Sequence, residues 1–310
     1  MSLRLHGDVL VGEGMLDFAV NVWPAARPAW LDHALGDALA DTRYPAERSA
    51  RRAIANRHGR RPEEVLLLNG ACEAFWLLAH ALRPSVAAVV HPAFTEPEAA
   101  LRAVGTEIVR VMREHEHWSF DVRDVPADAR IVVVGNPNNP TGGVDGSLDH
   151  KALVIVDGSF ADFVPFDPEG DVVIRSLTKA WGLAGIRAGY LLGSSSLIEL
   201  LESQRQPWSV NSVACAALEA CARHTFDPAP VAEARAALAD DLRGLGLRVW
   251  PSVTNFLLVE APGVVGPLRE RGVAVRPCES FPGLDERHVR VAVRTPEENA
   301  RLVRTLEAVL

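Results

Sequence analysis

Short apolar runs alternate with amphipathic segments between about residues 47 and 225. Six runs are continuous and have the length of a strand: 65–68, 86–90, 131–134, 153–156, 172–174 and 188–192. Such runs are typical of parallel strands that are covered on both faces. Segments 72–82 and 96–104 between them carry apolar residues at three- and four-residue spacing. The pattern predicts an α/β fold, with a mostly parallel central sheet flanked by helices.

The pattern changes after residue 209. Two helical segments are predicted at 210–223 and 229–242, and then four short strands and a closing helix at 247–250, 255–259, 273–276, 289–293 and 296–310. We therefore expect a second, smaller α+β domain at the C-terminus. The predicted division is an N-terminal segment, a large α/β domain and a small domain at 1–30, 31–225 and 226–310, with a hinge at 223–230. Ligands of open α/β sheets bind at the carboxyl ends of the strands, so residues that follow strands are the candidates for a site.

Composition narrows the class of protein. The chain has 310 residues, of which 48% are hydrophobic and 23% are charged, as in folded globular proteins. A formal net charge of -8 disfavours nucleic acid as a partner. No basic start precedes an apolar stretch, and no apolar segment reaches the ~20 residues that a membrane crossing requires. We expect a cytoplasmic protein without a membrane partner.

The cysteine and histidine spacings do not indicate a metal site. Four cysteines occur without any CxxC pair, so we expect reduced thiols rather than a zinc ribbon or a redox motif. His115 and His117 are two residues apart and have no further potential ligands nearby, which is typical of a solvated surface. No metal is assigned.

Lysine is rare in this chain. Of the 32 basic residues, only Lys151 and Lys179 are lysine. An amine can lose its proton and attack a carbonyl, which a guanidinium cannot do. Lys151 lies in a polar turn, whereas Lys179 follows a predicted strand. Lys179 is therefore the candidate for amine chemistry.

Three consecutive strand ends carry complementary groups. The first strand end is followed by the amide-rich segment 135–142, the second by Asp157, and the third by Ser176, Thr178 and Lys179. A segment rich in Asn, Pro and Gly is also compatible with an ordinary turn. Together, however, an amide, a carboxylate and an amine are the groups that bind pyridoxal phosphate: the amine forms an imine, the carboxylate keeps the ring nitrogen protonated and the amide donates to the ring oxygen.

A phosphate dianion also has candidate ligands. The hydroxyls of Ser176 and Thr178 and the guanidinium of Arg187 suit such an anion. Backbone N–H groups at Ala71 and Cys72, where a predicted helix begins, are suited in the same way.

Four motifs in this order resemble one family: 136–142, 157–160, 176–179 and 187–190. They resemble the class I/II aminotransferases of fold type I, and within them the branch of histidinol-phosphate aminotransferases and threonine-phosphate decarboxylases. The resemblance spans almost the whole chain. It implies the fold type I architecture, pyridoxal 5'-phosphate as the cofactor, and a homodimer with a shared active site.

The resemblance also implies roles for individual residues of the cofactor site. Lys179 is similar to the Schiff-base lysine, Asp157 to the partner of the pyridine nitrogen, and Asn139 to the donor to the phenolic oxygen. Phe94 occupies the position of the ring that stacks on the cofactor, with core filling as the alternative. Tyr44 resembles the tyrosine that reaches the cofactor phosphate of the neighbouring subunit.

Substrate-binding residues are implied in the same way. Arg290 resembles the family's clamp for the substrate carboxylate, and Arg276 the arginine that binds a substrate phosphate in this branch. For each, an ordinary surface arginine is the alternative. Asn21 and His6 resemble residues that help bind that phosphate, although His6 could equally belong to a frayed terminus.

Two positions and the length depart from the family pattern. The usual tyrosine after the aspartate is Phe160, a residue typical of the threonine-phosphate decarboxylase branch, and the usual acidic residue is Gly158, for which the sequence offers no reason. The segments 141–154 and 157–179 are too short for the usual helices, so we expect a more exposed flank of the site.

The first hypothesis is a lyase most like the threonine-phosphate decarboxylase of cobalamin biosynthesis. The runner-up is a transferase, with histidinol phosphate as the leading substrate. A non-catalytic module that binds pyridoxal phosphate or another ligand is the alternative of another class. Which bond to the substrate Cα breaks depends on its angle to the cofactor ring, which the sequence leaves open.

Overall fold

A computed structural model describes residues 3, 5–146 and 148–310. Its strands are β1 (Leu16–Phe18), β2 (Val65–Asn69), β3 (Val86–His91), β4 (Glu107–Met112), β5 (Ile131–Gly135), β6 (Leu153–Asp157), β7 (Val172–Ser176), β8 (Ala188–Leu192), β9 (Arg248–Val249), β10 (Phe256–Glu260), β11 (Val273–Pro277) and β12 (His288–Ala292). Its α-helices are α1 (Ala29–Ala40), α2 (Glu47–Arg57), α3 (Cys72–Leu82), α4 (Glu96–Ala103), α5 (Ser195–Gln204), α6 (Ser212–Ala222), α7 (Ala229–Gly244), α8 (Val265–Glu270) and α9 (Pro296–Glu307).

A seven-stranded sheet has the order β2-β8-β7-β6-β5-β3-β4. Strands β4, β3, β5, β6 and β7 run parallel to one another, whereas β8 is antiparallel to both β7 and β2. The α/β class and the mostly parallel sheet are thus confirmed. The apolar pattern did not predict β4, because this edge strand alternates exposed and partly buried positions.

Helices cover both faces of this sheet. One face packs against α3, α4 and α5, and the other against α1, α2 and α6. A strand that is buried on both faces has no side for polar residues, which explains the continuous apolar runs. The predicted helices at 72–82 and 96–104 correspond to α3 and α4, whereas α1, α2, α5 and α8 were not predicted.

A five-stranded sheet has the order β1-β11-β12-β10-β9. Its apolar face packs on α7, α8 and α9. Strand β1 comes from the N-terminal part of the chain and pairs in parallel with β11, an association that local pattern does not indicate. The four strands and the closing helix predicted after residue 246 correspond to β9–β12 and α9. The division at residues 30 and 225 stays a prediction.

The connections beside β6 are short. The described residues between β5 and β6 form no helix, and the link from β6 to β7 has a single 3-10 turn at Ala161–Phe163. Among the described helices, none combines the length and the apolar character needed to cross a membrane. The cytoplasmic location stays a prediction. In the same residues, no three His, Cys, Asp or Glu side chains are grouped closely enough to bind a metal ion.

Candidate active site

A cavity of about 350 Å³ lies where β5, β6 and β7 end, and the five-stranded sheet and the N-terminal segment complete its wall. Ten of the fourteen predicted site residues line it: His6, Asn21, Phe94, Asn139, Asp157, Thr178, Lys179, Arg187, Arg276 and Arg290. The other four, Tyr44, Ala71, Cys72 and Ser176, do not. The fold therefore brings most of the predicted cofactor and substrate residues to one place.

Main-chain pairing aligns the three strand ends. Gly135 at the end of β5 is in register with Asp157, which is in register with Ile174 on β7. After β5, the buried amide of Asn138 donates to the Pro92 carbonyl at 3.0 Å and to the Thr141 hydroxyl at 2.8 Å. The loop is thereby fixed.

Asp157 is buried, and its surroundings have opposite effects on the pKa of its carboxyl group. On balance the pKa of the carboxyl group is raised, because burial outweighs the opposing effects of the hydrogen bond from Ser159 and of the nearby Lys179 ammonium. The Ser159 N–H donates to Asp157 Oδ1 at 3.1 Å. These donors favour the ionised carboxylate, which is the form that can pair with a protonated ring nitrogen.

Lys179 is the amine of the cavity. Burial, followed by the nearby Arg290 guanidinium, lowers its pKa to about 8. Its Nζ lies 5.9 Å from the centre of the Phe160 ring. A buried amine with this pKa is partly neutral near physiological pH, as nucleophilic attack on a carbonyl requires.

Arg290 orients the amide of Asn139. Its Nη1 donates to Asn139 Oδ1 at 2.6 Å, and its Nη2 donates to the Ala19 carbonyl at 2.6 Å. With Oδ1 used as an acceptor, the Asn139 NH₂ group is left as a donor for a ligand in the cavity. Burial lowers the pKa of Arg290 to about 9.

The candidate ligands for a phosphate, which we call the proposed phosphate end of the cavity, lie where the segment before α3 approaches Arg187 closely. Gly70 has φ +78°, a conformation that favours glycine, and a Cβ there would lie 2.3 Å from Arg187 Nη2 and would displace the guanidinium. Ala71 and Cys72, at the start of α3, follow directly. Ser176 ends β7, and its hydroxyl accepts from the Thr178 N–H at 3.2 Å. Ala71, Cys72 and Ser176 lie outside the cavity wall, but each is next to a segment that contains or contacts a residue of the wall.

Arg276 is a buried cation that faces the cavity. Its guanidinium donates to the Ser280 hydroxyl at 2.7 Å, the Leu5 carbonyl at 2.6 Å and the Pro277 carbonyl at 3.1 Å. These described partners are neutral acceptors rather than carboxylates, and burial lowers the pKa of Arg276. Glu279 and Asp8, which also lines the cavity, act on its charge from a distance. A buried guanidinium whose hydrogen-bond partners are neutral suits an anionic ligand.

Two of the side chains that line the cavity have buried polar atoms without a partner in the described structure. Asn21 is 2% exposed, and neither its amide nitrogen nor its oxygen has a hydrogen bond. Arg290 Nε is buried and unbonded in the same way. Both residues line the cavity. Orphaned polar atoms at a cavity indicate a polar ligand that satisfies them.

Taken together, the donor set fits pyridoxal phosphate. An amine, a buried carboxylate and an amide donor converge at the strand ends, and Arg187 with the start of α3 supplies donors for a phosphate group. Phe94 lines the same cavity, and its ring centre lies 5.6 Å from that of His6 and 6.2 Å from that of Phe75. Stacking of Phe94 on the cofactor stays a prediction.

The sequence marks Arg294 only as a residue typical of the threonine-phosphate decarboxylase branch and indicates no role for it. Its guanidinium donates to three carbonyls of the N-terminal segment, those of Asp17, Val20 and Val22, at 2.6, 3.3 and 3.2 Å. It also forms an ion pair with the Asp17 carboxylate at 3.0 Å. The bonds join residues more than 270 positions apart, so no local pattern indicates them. They place Asn21 in the cavity wall.

The structure also explains Gly158. A Cβ at this position would lie 3.0 Å from the Ile174 carbonyl and 3.2 Å from Arg175 Cδ. Arg175 is buried and is bound by Asp162 at 2.7 Å and by Asp167. The space for an acidic side chain at position 158 is therefore taken by the arginine.

Tyr44 lies outside its own chain's cavity. It is 75% exposed and stacks on Trp208, which is 59% exposed, with 4.6 Å between the ring centres. Exposed aromatic pairs are frequent at sites of protein contact. A role at the chain's own cavity is not seen, and a role toward a second copy stays a prediction.

Comparison with known proteins agrees with this fold and site. The family described as "Aminotransferase class I and II" matches residues 9–306. The chain is 41% identical to a histidinol-phosphate aminotransferase of Mycobacterium tuberculosis, over 94% of this chain and 87% of that protein. It is 31% identical to the threonine-phosphate decarboxylase of Salmonella typhimurium, over 96% and 91%. The crystal structure of the histidinol-phosphate aminotransferase of Clostridium acetobutylicum superposes with a TM-score of 0.86 over 94% of this chain and 98% of that one, at 24% identity.

The architecture and the cavity define a fold type I enzyme that uses pyridoxal phosphate. The chain belongs to the aminotransferase class I and II family. It is therefore an enzyme, and the hypothesis of a non-catalytic binding module is wrong.

Proposed function

We propose that this enzyme acts on a phosphorylated amino acid or amine. The observation that carries the proposal is the pair of buried arginines, Arg276 and Arg290, on adjacent strands and in the same cavity as Lys179. Two cationic forks beside one amine suit a substrate with two anionic groups, or two substrates that use them in turn. Asn21, with its unpaired amide, supplies a further donor.

Pyridoxal phosphate, when bound, supplies an electron sink that weakens the bonds to the substrate Cα. In this chain Lys179 would bind its aldehyde carbon, Asp157 its ring nitrogen and the Asn139 NH₂ its phenolic oxygen. Its phosphate would be bound by Arg187, by the hydroxyls of Ser176 and Thr178, and by the backbone at Ala71 and Cys72.

The residues of this chain also handle the substrate and its proton. Arg290 would bind the substrate carboxylate and so determine which bond to Cα lies perpendicular to the cofactor ring. The Lys179 amine, with a pKa of about 8, can accept a proton from Cα at Nζ in a transamination. In a decarboxylation CO₂ leaves instead, and Lys179 can return a proton to Cα.

Decarboxylation of threonine phosphate is the first candidate reaction. It is supported by Phe160, which is typical of the decarboxylase branch. The Phe160 ring lies near Lys179 Nζ, and its centre is 5.0 Å from the centre of the Phe256 ring. A phenol donor to the cofactor is thereby replaced by an apolar ring, and Asn139 is left as the predicted donor.

Transamination of histidinol phosphate is the second candidate. It is supported by the relative of 41% identity, whose name assigns that activity to it. Both candidates require a phosphate site at Arg276, so that arginine does not distinguish them.

Two assays with the purified holoenzyme separate the candidates. One measures CO₂ release from threonine phosphate, and the other measures glutamate formation from histidinol phosphate and 2-oxoglutarate. We expect one rate to exceed the other by at least about tenfold, since the reactions need different bonds perpendicular to the ring. Background rates in both assays, from an enzyme that is loaded with cofactor, would contradict the proposal.

We also propose that the active enzyme is a homodimer in which Tyr44 completes the partner's site. The proposal is supported by the exposed Tyr44–Trp208 pair. Tyr44→Ala and Lys179→Ala subunits are each expected to be inactive or nearly so. Random mixing should restore about a quarter of wild-type activity, because half of the dimers then have one intact site. No recovery after verified subunit exchange would contradict a shared site.

A further inference from the structure

A buried carboxylate outside the predicted site contacts the N-terminal segment. Glu96, the first residue of α4, is 3% exposed. Its Oε1 lies 2.7 Å from His6 Nε2, and its Oε2 accepts from Trp76 Nε1 at 3.0 Å and from the Cys72 thiol at 3.8 Å. Glu96 thus joins His6, which lines the cavity, to the helix that begins at the proposed phosphate end.

The contact determines which ring nitrogen of His6 carries a proton. A carboxylate only accepts hydrogen bonds, so Nε2 must be the protonated nitrogen when it bonds to Glu96. Nδ1 is then the nitrogen that remains for a ligand. Outer carboxylates orient ligand-binding histidines in the same way in metal sites.

Three contacts place the His6 ring at the same wall as Arg276. The Leu5 carbonyl accepts from Arg276 Nη2 at 2.6 Å, the Thr95 hydroxyl donates to the Leu3 carbonyl, and the His6 ring lies 5.6 Å from the Phe94 ring. Leu5 is thus bonded to Arg276 while the neighbouring His6 ring packs beside Phe94, and all four residues line one cavity. His6 and Arg276 line the same cavity, so one ligand in it can contact both.

We propose that Glu96 is a positioning residue that orients His6 to donate a hydrogen bond from Nδ1 to the phosphate group of the substrate. The inference rests on the proposed function. Donation from Nδ1 requires a second proton on the ring. The proton comes from the monoanionic form of the phosphate or from solvent, and in the complex it lies between Nδ1 and a phosphate oxygen.

Calorimetric titration of the holoenzyme with inorganic phosphate tests this directly, since the cofactor already occupies its own phosphate site. Four proteins form a cycle: wild type, Glu96→Gln, His6→Ala and the double variant. We expect Glu96→Gln to weaken phosphate binding about tenfold, the order of effect that loss of an outer partner has on a ligand histidine. In the His6→Ala background, Glu96→Gln should have no further effect.

A kinetic readout distinguishes positioning from a structural role. For the phosphorylated substrate that the wild type turns over, Glu96→Gln should raise KM and leave kcat within about twofold, because the residue acts on binding of a remote group. Glu96→Asp, which keeps the charge, should recover part of the loss. Glu107→Gln removes the same charge from an exposed position of β4 and should behave as wild type.

Each outcome decides a different claim. A wild-type holoenzyme that does not bind phosphate contradicts the proposed function, and this inference falls with it. Two results overturn the inference and leave the proposed function standing. One is equal phosphate affinity of the wild type and Glu96→Gln. The other is a Glu96→Gln substitution that weakens phosphate binding as much in the His6→Ala background as in the wild type. If neither Glu96→Gln nor Glu96→Asp folds and binds the cofactor, Glu96 is a structural residue and the inference is overturned as well.

Discussion

The two ends of the cavity are built by different means. At the cofactor end, Asn139, Asp157 and Lys179 follow adjacent strands, and the main-chain ladder of the sheet sets their spacing. At the substrate end, Arg276 and Arg290 bond to carbonyls 271 residues away in the N-terminal segment. The first end depends on backbone pairing, and the second on a few side-chain hydrogen bonds.

This difference separates chemistry from specificity. Ladder hydrogen bonds persist when a surface side chain changes, so the cofactor end tolerates substitution around it. A wall held by single arginine–carbonyl bonds shifts when one arginine is replaced. We infer that changes at the substrate end alter which molecule binds, while the amine and carboxylate stay in place.

Removal of the amine should give the largest effect. Lys179→Ala is expected to lower turnover by about 10⁴-fold or more, because no other group in the cavity forms the covalent link to the cofactor. The fold should be kept, since alanine fits the space of the lysine. Turnover and borohydride reduction of the bound cofactor onto the protein measure the loss. Lys151→Ala, the other lysine, is the control, and a fully active Lys179→Ala enzyme would refute the assigned role.

The buried Lys179 should also impose a pH-dependent cost on the apoenzyme. Its pKa falls from 10.5 in the unfolded chain to about 8 in the fold. Between these values the unfolded chain binds a proton that the folded chain has lost, so stability rises with pH there. Below pH 8 both states bind the proton, and the cost has its full value. At about 1.4 kcal/mol per unit, the cost near pH 7 is about 3 kcal/mol.

Urea unfolding of the apoenzyme and of Lys179→Met measures this cost. We expect the methionine variant to be the more stable at pH 7, with its advantage shrinking as the pH rises from 8 to 10.5. A constant difference over this range would show that Lys179 titrates at its ordinary pKa and that burial at the cofactor end has no electrostatic effect.

At the substrate end, Arg276→Gln should act on binding alone. The KM for a phosphorylated substrate is expected to rise about 100-fold, the size of effect seen when one partner of a buried charge pair is removed. Cofactor binding should not change. Arg269→Gln is a matched control, because Arg269 also donates to an N-terminal carbonyl, that of Leu10 at 2.7 Å, but lies outside the cavity wall. Equal effects of the two variants would mean that Arg276 only anchors the segment.

The cofactor end could be predicted from sequence because its signals are local. Lys179 and Asp157 each follow a continuous apolar run, and parallel strands bring their carboxyl ends to one edge. The substrate end could not be derived this way. Strand β1 and Arg294 act through contacts across most of the chain, and Glu96 contacts His6, 90 residues away; such contacts have no period or spacing in the sequence. Arg276 and Asn21 were found only through the family resemblance.

Gly158 also shows what the sequence alone cannot explain. The sequence marks it as a departure from the family pattern, but the reason is the buried Arg175 side chain, which belongs to the neighbouring strand. Packing between neighbouring strands decides which residue fits at position 158, and the linear sequence does not show which side chains are packed together.

The smallest effect we expect separates anchoring from binding at the substrate end. Arg294→Gln removes donors to the carbonyls of Asp17, Val20 and Val22, so the N-terminal segment should loosen. Loss of these bonds should lower the free energy of unfolding by about 2 kcal/mol. Urea denaturation measures this loss, and Arg301→Gln, an exposed arginine of α9, is the control.

Hydrogen exchange shows where that loss falls. In Arg294→Gln the amides of β1 should exchange faster, while those of β5–β7 should keep their protection, because the two ends of the cavity are held by separate bonds. Faster exchange in β5–β7 as well would mean that the substrate end supports the cofactor end, and the contrast between them would then be one of degree. Unchanged exchange in β1 would show that its pairing with β11 suffices without the arginine.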